Sequence, residues 1–323
     1  MKRATAASWL ALAALAASTQ VHAQAWPTKP IRLVIGFAPG GAADYVARTI
    51  SEPMSRALGQ AVVVENRVGA GSSIAADFVA KAPADGYTLL IASPSSISVN
   101  PALNPKLSYS AKDLTPVARI TSAALVVAVN PKTGINSMAE LVAAAKKKPG
   151  ELNYTSSGNG SAPHLGAVHF SSVMGVAMTH IPYKGGAPAI QSVVAGDTQL
   201  TFGTPPSVLP MVQAGRLKAI GVTSAQRSPL VPDVPGMVEA GMGSYSMGFW
   251  YGFFVPAGTP PDVVKKVFEA AQKAMAEPEV KAALAREGTE VSLSKSPEEF
   301  AAFLVEDNRF WARLVKDAGV KLD

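Results

Sequence analysis

The residues best suited to chemistry in this chain are not its charged ones. Five short stretches are rich in Gly, Ser, Thr and Pro. They are Gly36-Phe37-Ala38-Pro39-Gly40-Gly41 with Asp44 just beyond, Ser93-Pro94-Ser95-Ser96, Ser156-Ser157-Gly158-Asn159-Gly160-Ser161, Tyr183-Lys184-Gly185-Gly186, and Gly203-Thr204-Pro205-Pro206. A helix start carries backbone N–H groups without intrahelical partners and a partial positive charge. Glycine lets a guest approach that backbone closely, and serine hydroxyls add further donors. Such loops hold a carboxylate or phosphate without any lysine or arginine. Taken singly, each loop also reads as a plain tight turn; five on one edge favour a site. Asp44 reads as a helix cap, because its charge would repel an anion unless water or a backbone donor lay between.

Catalytic sets are thin. There is no G-x-S-x-G elbow, no H-E-x-x-H and no G-K-[ST] phosphate loop. Gly69-Ala70-Gly71 lacks the third glycine of a dinucleotide loop, and Ser292 to Lys295 matches S-x-x-K only ahead of the last helix. Cysteine is absent, which excludes a disulfide framework and a thiolate metal site. His164 and His169 are five apart, about 140° around a helix, so they do not chelate one metal from one face. His164 follows the Ser/Gly loop and is placed to orient it. No metal and no cofactor are expected. The alternative to a binding protein is an exported serine hydrolase of small esters, with its nucleophile among Ser156, Ser157 and Ser161.

The elements that must position these loops alternate. Ile31 to Phe37 is a near-continuous apolar run, the pattern of a parallel strand buried on both faces. Val46, Ile50, Met54 and Leu58 then repeat every four residues as a helical stripe, and Gly59 suits a left-handed cap. Ala61 to Val64, a helix over Ser72 to Ala82, and Tyr87 to Ala92 complete a βαβαβ order with right-handed crossovers. A second unit follows, with strands predicted at Ala124–Val129, Leu152–Thr155, Met178–Tyr183, Thr198–Phe202 and Leu217–Val222. Its first helix opens on a Ser137/Glu140 capping box. Phe249 to Val255 is one more strand, after which Thr259 is expected to cap a helix. Ser296, Pro297 and Glu299 open the last helix, whose apolar face holds Phe300, Phe303, Leu304, Trp311, Leu314 and Val315; Gly319 is placed to stop it. In open parallel sheets ligands sit beyond the carboxyl ends of the strands, where the five loops fall.

Length and charge agree with this layout. The chain has 323 residues, enough for about two domains. At 48% hydrophobic and 16% charged, it has ordinary core material. Lys2 and Arg3, the short apolar stretch Trp9 to Ala17, and Val21-His22-Ala23 make a secretory leader over residues 1–23, so a periplasmic location is expected. The formal charge is +6, and removing Lys2 and Arg3 leaves +4, a modest excess that steers anions. Basic residues are scattered, and Lys146-Lys147-Lys148 falls at a helix end where it complements the dipole. Nucleic acid is not an expected partner.

A further set of motifs runs through the mature chain in order. It includes Trp26-Pro27, Gly36 to Gly41 with Asp44, Val64-Glu65-Asn66-Arg67, Asp85-Gly86-Tyr87-Thr88-Leu89, Asn100-Pro101, and Tyr154 to Gly160 with His164-Leu165. Beyond these come Pro182 to Gly186, Ala214-Gly215-Arg216-Leu217, Trp250 with Gly252, and Pro256 to Pro260. The set resembles the Bug receptor family, the extracytoplasmic solute-binding proteins of tripartite tricarboxylate transport systems. The resemblance implies an α/β, two-lobe Venus-flytrap fold, type II-like, with mainly parallel sheets and helices on both faces. One lobe would comprise residues 24–123 and 250–323, with the C-terminal helix packed across, and the other residues 124–249. It implies a cleft for a small carboxylate such as a dicarboxylate, an amino acid, a citrate-like acid or an aromatic acid. The ligand role carries to Phe37, Ala38, Gly40, Gly41 and Asp44, and on the second lobe to Ser156, Ser157, Asn159, Gly160, His164 and Lys184. Ser93, Ser95 and Thr204 join them from the loops above, Thr204 in a segment that varies with selectivity. The implied partner is a membrane transporter of the same tripartite system or a sensor protein, and a monomer is expected. Gly40→Val is expected to block carboxylate binding in a chain that still folds.

Overall fold

The computed structural model describes residues 26–104 and 106–317; the leader and Gly319 lie outside the described residues. The first unit runs β1 (Ile31–Ile35), α1 (Ala42–Leu58), β2 (Val62–Asn66), α2 (Ser73–Ala80) and β3 (Thr88–Ala92). A π turn over Ser95–Val99 leads into the short helix α3 (Asn100–Leu103). Strand β4 (Leu114–Ala124) then carries the chain toward β5 (Val126–Val129). The second unit continues with α4 (Met138–Lys147), β6 (Asn153–Ser156), α5 (Ala162–Met174), β7 (Thr179–Pro182), α6 (Gly186–Ala195), β8 (Leu200–Gly203), α7 (Pro205–Gln213) and β9 (Lys218–Val222). Strand β10 (Gly248–Pro256) returns, followed by α8 (Pro261–Ala276), α9 (Pro278–Arg286), β11 (Glu290–Val291) and α10 (Pro297–Asp317).

Two sheets result, ordered β11-β4-β10-β3-β1-β2 and β7-β6-β8-β5-β9. Both are mixed rather than mainly parallel. In the first, β1 runs parallel to β2 and β3, while β10 is antiparallel to β3 and β4. In the second, β6 runs parallel to β7 and β8, while β5 is antiparallel to β8 and β9. The cause is the crossing of the chain: β4, β5 and β10 lead out of one sheet and into the other, so they enter against the direction of the βαβ strands.

The helices form where the apolar stripes lie. Val46, Ile50 and Met54 of α1 are fully buried, and Gly59 ends the helix at φ 70°, donating its N–H to Ser55 O. Ser137 Oγ accepts from Glu140 N at the start of α4, and Ser296 Oγ does the same for Glu299 N at α10. Thr259 does not cap α8. Its hydroxyl donates back to Pro256 O at 2.7 Å, and Pro260 occupies the cap position.

Thr223 ties the two crossings together. Its backbone N–H donates to Leu125 O and its carbonyl accepts from Met247 N. Its hydroxyl accepts from Leu125 N at 2.8 Å and donates to Met247 O at 2.6 Å. The residue is fully buried, so neither strand can replace these bonds with water. Thr223→Val keeps the shape and strands two buried groups, at about 1–3 kcal/mol. Urea unfolding should register that loss, and Thr223→Ser should recover most of it.

Candidate functional site

Four helix starts from both sheets meet at one small cavity. Its wall holds Gly41, Ala42 and Ala43 at the start of α1, Ser161, Ala162 and Pro163 at α5, Gly186 at α6 and Thr204 at the cap of α7. No side chain caps α1, α6 or α7. Phe37, Ser93, Ser95, Ser157, Phe249 and Tyr251 complete the wall, and none of the lining residues is charged. Ser93 Oγ is buried with no hydrogen-bond partner among the described residues. Burial pushes the Tyr251 phenol far above its usual value, so it is a neutral hydroxyl at ordinary pH. Partial positive charge from several helix termini, neutral O–H donors and no carboxylate make a site for an anion.

The cavity holds about 20 Å³, room for about one water. The facing backbones touch because glycines line the seam: a Cβ on Gly185 would lie 2.9 Å from Ala38 Cβ, and one on Gly41 3.6 Å from Gly186 N. A neighbouring chamber of about 290 Å³ shares Phe37 and Ser157 with the cavity and is lined further by Ser72, Asn159, Tyr183 and Lys184. A hollow of about 620 Å³ lies behind the crossings between α10 and Ser224–Pro229. None of the helix starts above and none of the sequence-predicted site residues lines it.

The fourteen sequence-predicted residues therefore divide. Phe37, Gly41, Ser93, Ser95, Ser157 and Thr204 line the cavity, and Asn159 and Lys184 line the chamber beside it. Ala38, Gly40, Asp44, Ser156, Gly160 and His164 line neither. Asp44 is turned away: its carboxylate accepts from Gly40 N at 3.0 Å, Arg48 Nε at 2.8 Å and Asn66 Nδ2 at 3.0 Å. Asn66 Nδ2 also donates to Phe37 O, so the pair holds the turn that carries Gly41. Burial pushes the Asp44 carboxyl up, but Arg48, the Gly40 N–H and Asn66 outweigh it and hold it below its ordinary value.

Behind the Ser156–Ser161 loop lies a stack of rings. His164 and His180 lie 4.0 Å apart, centroid to centroid, with Tyr154 against His180 at 5.0 Å. His164 Nδ1 accepts from Gly160 N at 3.1 Å, which places the neutral ring's proton on Nε2 by the network. His180 Nε2 lies 2.6 Å from Ser156 Oγ. That hydroxyl also donates to Gly158 O and accepts from Gly158 N. Ser156 is thus a buried brace of its own loop. Burial, helped by the charge of His180, pushes His164 down to about 3.

The sign of the pH effect follows. Below about pH 6.5 the unfolded chain binds a proton at this histidine and the folded chain does not, so stability falls with pH until about pH 3, at up to ~1.4 kcal/mol per unit. Asp44 adds its loss only below about pH 4. Urea unfolding across pH 6.5 to 4 should therefore show a slope that His164→Asn reduces. His169, also held low by burial, keeps part of it.

Sequence reading missed Tyr251, Phe249, Ser161 as a wall residue and the His164–His180 stack. The register of β6 on β7 pairs Tyr154 with His180, a contact no local spacing encodes. Phe249 and Tyr251 alternate toward the cavity along β10, and that period-2 signal was present in the strand itself.

Comparison with known proteins agrees with the geometry. The family model described as the tripartite tricarboxylate transporter family receptor matches residues 46–320. The chain is 33% identical over 324 residues to Protein BugT of Bordetella pertussis, covering 100% of this chain and 99% of that one. It is 41% identical to a structure described as a periplasmic transporter, at TM-score 0.88 over 93% of this chain and 100% of the other. It is 32% identical, at TM-score 0.88, to R. palustris Rpa4515 with adipate, over 92% and 99% of the two chains. With four helix starts turned on an uncharged cavity between two mixed sheets, this chain belongs to the tripartite tricarboxylate transporter receptor family, the Bug receptors, and is a two-lobe solute-binding protein rather than an enzyme.

Proposed function

We propose that this protein is exported to the periplasm, captures a small carboxylate between its lobes, and hands the loaded form to a membrane transporter of the tripartite type or to a sensor. The single observation that carries this reading is the meeting of four helix starts on a cavity whose lining has no charged side chain. An anion is the guest such a wall favours, and a relative of similar fold is described with adipate. In this reading Phe37, Gly41, Ser93, Ser95, Ser157 and Thr204 touch the guest's carboxylate end. Asn159 and Lys184 face its remainder. Ala38, Gly40, Asp44, Ser156, Gly160 and His164 hold the loops in shape.

The lobes in this reading are residues 24–123 with 250–323, and residues 124–249. The membership of β1–β4, β10 and β11 in one sheet and β5–β9 in the other supports that division. Native mass spectrometry of protein purified gently from its producing cells tests the proposal. A retained small acid is the expected result. A retained cationic or neutral sugar-like guest would defeat it.

A further inference from the structure

Asn100 belongs to a sequence motif that the cavity does not use, yet it is 1% exposed and heavily engaged. It begins α3, directly after the π turn whose first residue, Ser95, lines the cavity. Its Nδ2 donates to Ala70 O at 3.1 Å, Gly71 O at 3.0 Å and Ser73 Oγ at 2.7 Å. Those acceptors belong to or adjoin a left-handed turn: φ is 46° at Ala70, 57° at Gly71 and 76° at Ser72. Left-handed backbone at a residue other than glycine is strained and persists only where neighbours impose it. Asn100 is the neighbour that grips this turn.

The other side of Asn100 faces the second lobe. Its Oδ1 is buried and has no hydrogen-bond partner among the described residues. A Cβ on Gly160 would lie 2.3 Å from that oxygen and 3.4 Å from Val99 Cγ1. Gly160 N–H is already given to His164 Nδ1, so the Cα face of Gly160 is what abuts the amide. The seam is tight in the reverse direction as well: a Cβ on Gly71 would lie 2.5 Å from Asn159 O. Two glycines, one from each lobe, thus land on the opposite lobe with no room for a methyl group.

We infer that Asn100 is a positioning residue for lobe closure, the seat on which Gly160 lands. Through Ala70–Ser73 it fixes the seam, and through the π turn it is joined to Ser95 in the cavity wall, so closure and cavity shape change together. The inference goes beyond ligand capture and does not depend on the guest being a carboxylate.

The absence of cysteine allows a clean test. Lys265→Cys and Lys147→Cys place one spin label on each lobe of the otherwise wild-type chain, at exposed positions, and the distance distribution separates closed from open. Without added ligand, the parent should show a short-distance population. At Gly160 φ is 71°, so Gly160→Ala strains its loop in the open and closed forms alike, and that cost cancels in the ratio. The methyl against Asn100 should cut the closed-to-open ratio roughly tenfold, in the range expected of an extra methyl in a packed seam. In an Asn100→Ala background, where the amide is gone, the same substitution should change the ratio by less than about twofold. Gly71→Ala, aimed at Asn159 from the other lobe, should also lower it. Melting temperatures check that each variant is folded. A parent with no short-distance population, or an equal loss from Gly160→Ala with and without Asn100, would overturn the inference. Failure of carboxylate binding would leave these distances unchanged, so the two claims fail separately.

Discussion

Gly41→Val is expected to weaken carboxylate binding by about a hundredfold or more while leaving the unliganded fold intact. Gly41 has φ −87° and ψ 172°, extended backbone that valine adopts without strain. A Cβ there would make only ordinary contacts, 3.4 Å from Ala38 O and 3.6 Å from Gly186 N, so the fold accepts a side chain and what that side chain takes up is the cavity that Gly41 lines. A branched side chain there fills a cavity of about 20 Å³ and masks the first N–H groups of α1. Calorimetric titration with a small acid that the wild-type chain binds, beside a melting curve of the unliganded variant, reads both halves of the expectation. Gly40→Val is the poorer probe that the sequence pointed to. Gly40 sits at φ 78° and lines no part of the cavity. Valine there would strain the turn, and lost binding would mix with lost folding.

Phe300→Ala should cost about 3–5 kcal/mol of stability. Phe300 is fully buried and anchors α10 on β10. Its ring meets Trp250 edge-on at 5.4 Å and Phe254 at 5.4 Å. It also sits directly over Gly252, where an added Cβ would lie 2.5 Å from the ring. The strand backbone has been cleared of a side chain so that the ring can rest on it. Removing the ring leaves a cavity between helix and strand that neither can close. Urea unfolding should show a lower midpoint with an unchanged slope.

That pairing also marks how far the sequence could be read. Phe300 was legible as part of an apolar face, and Gly252 as a motif glycine beside Trp250, but their contact depends on how α10 lies across the sheet. Local patterns were legible wherever one element carries its own signal. The stripe of α1, the Ser137 and Ser296 caps, and the Gly/Ser loops after the strands are of this kind. The turn at Ala70–Ser72 was not, because left-handed backbone usually announces itself with glycine and here Asn100 imposes it on Ala and Ser. Strand direction was illegible for a similar reason. β10 looks like any buried strand in isolation, and only the double crossing of the chain sets it antiparallel to β3. Thr223 lies in no motif, and its four bonds to the crossings exist only in the fold. Asp44 was read first as a cap and then as a ligand contact. Its carboxylate instead braces the turn ahead of α1 through Gly40, Arg48 and Asn66, and no side chain caps that helix.

The central claim is that helix termini, not charged side chains, select a negative guest. Titration calorimetry of the protein against small mono- and dicarboxylic acids, each run beside its neutral amide of the same length, tests it most directly. At least one acid should bind saturably while its amide gives no heat of binding. No acid binding at all, or acid and amide binding alike, would contradict it.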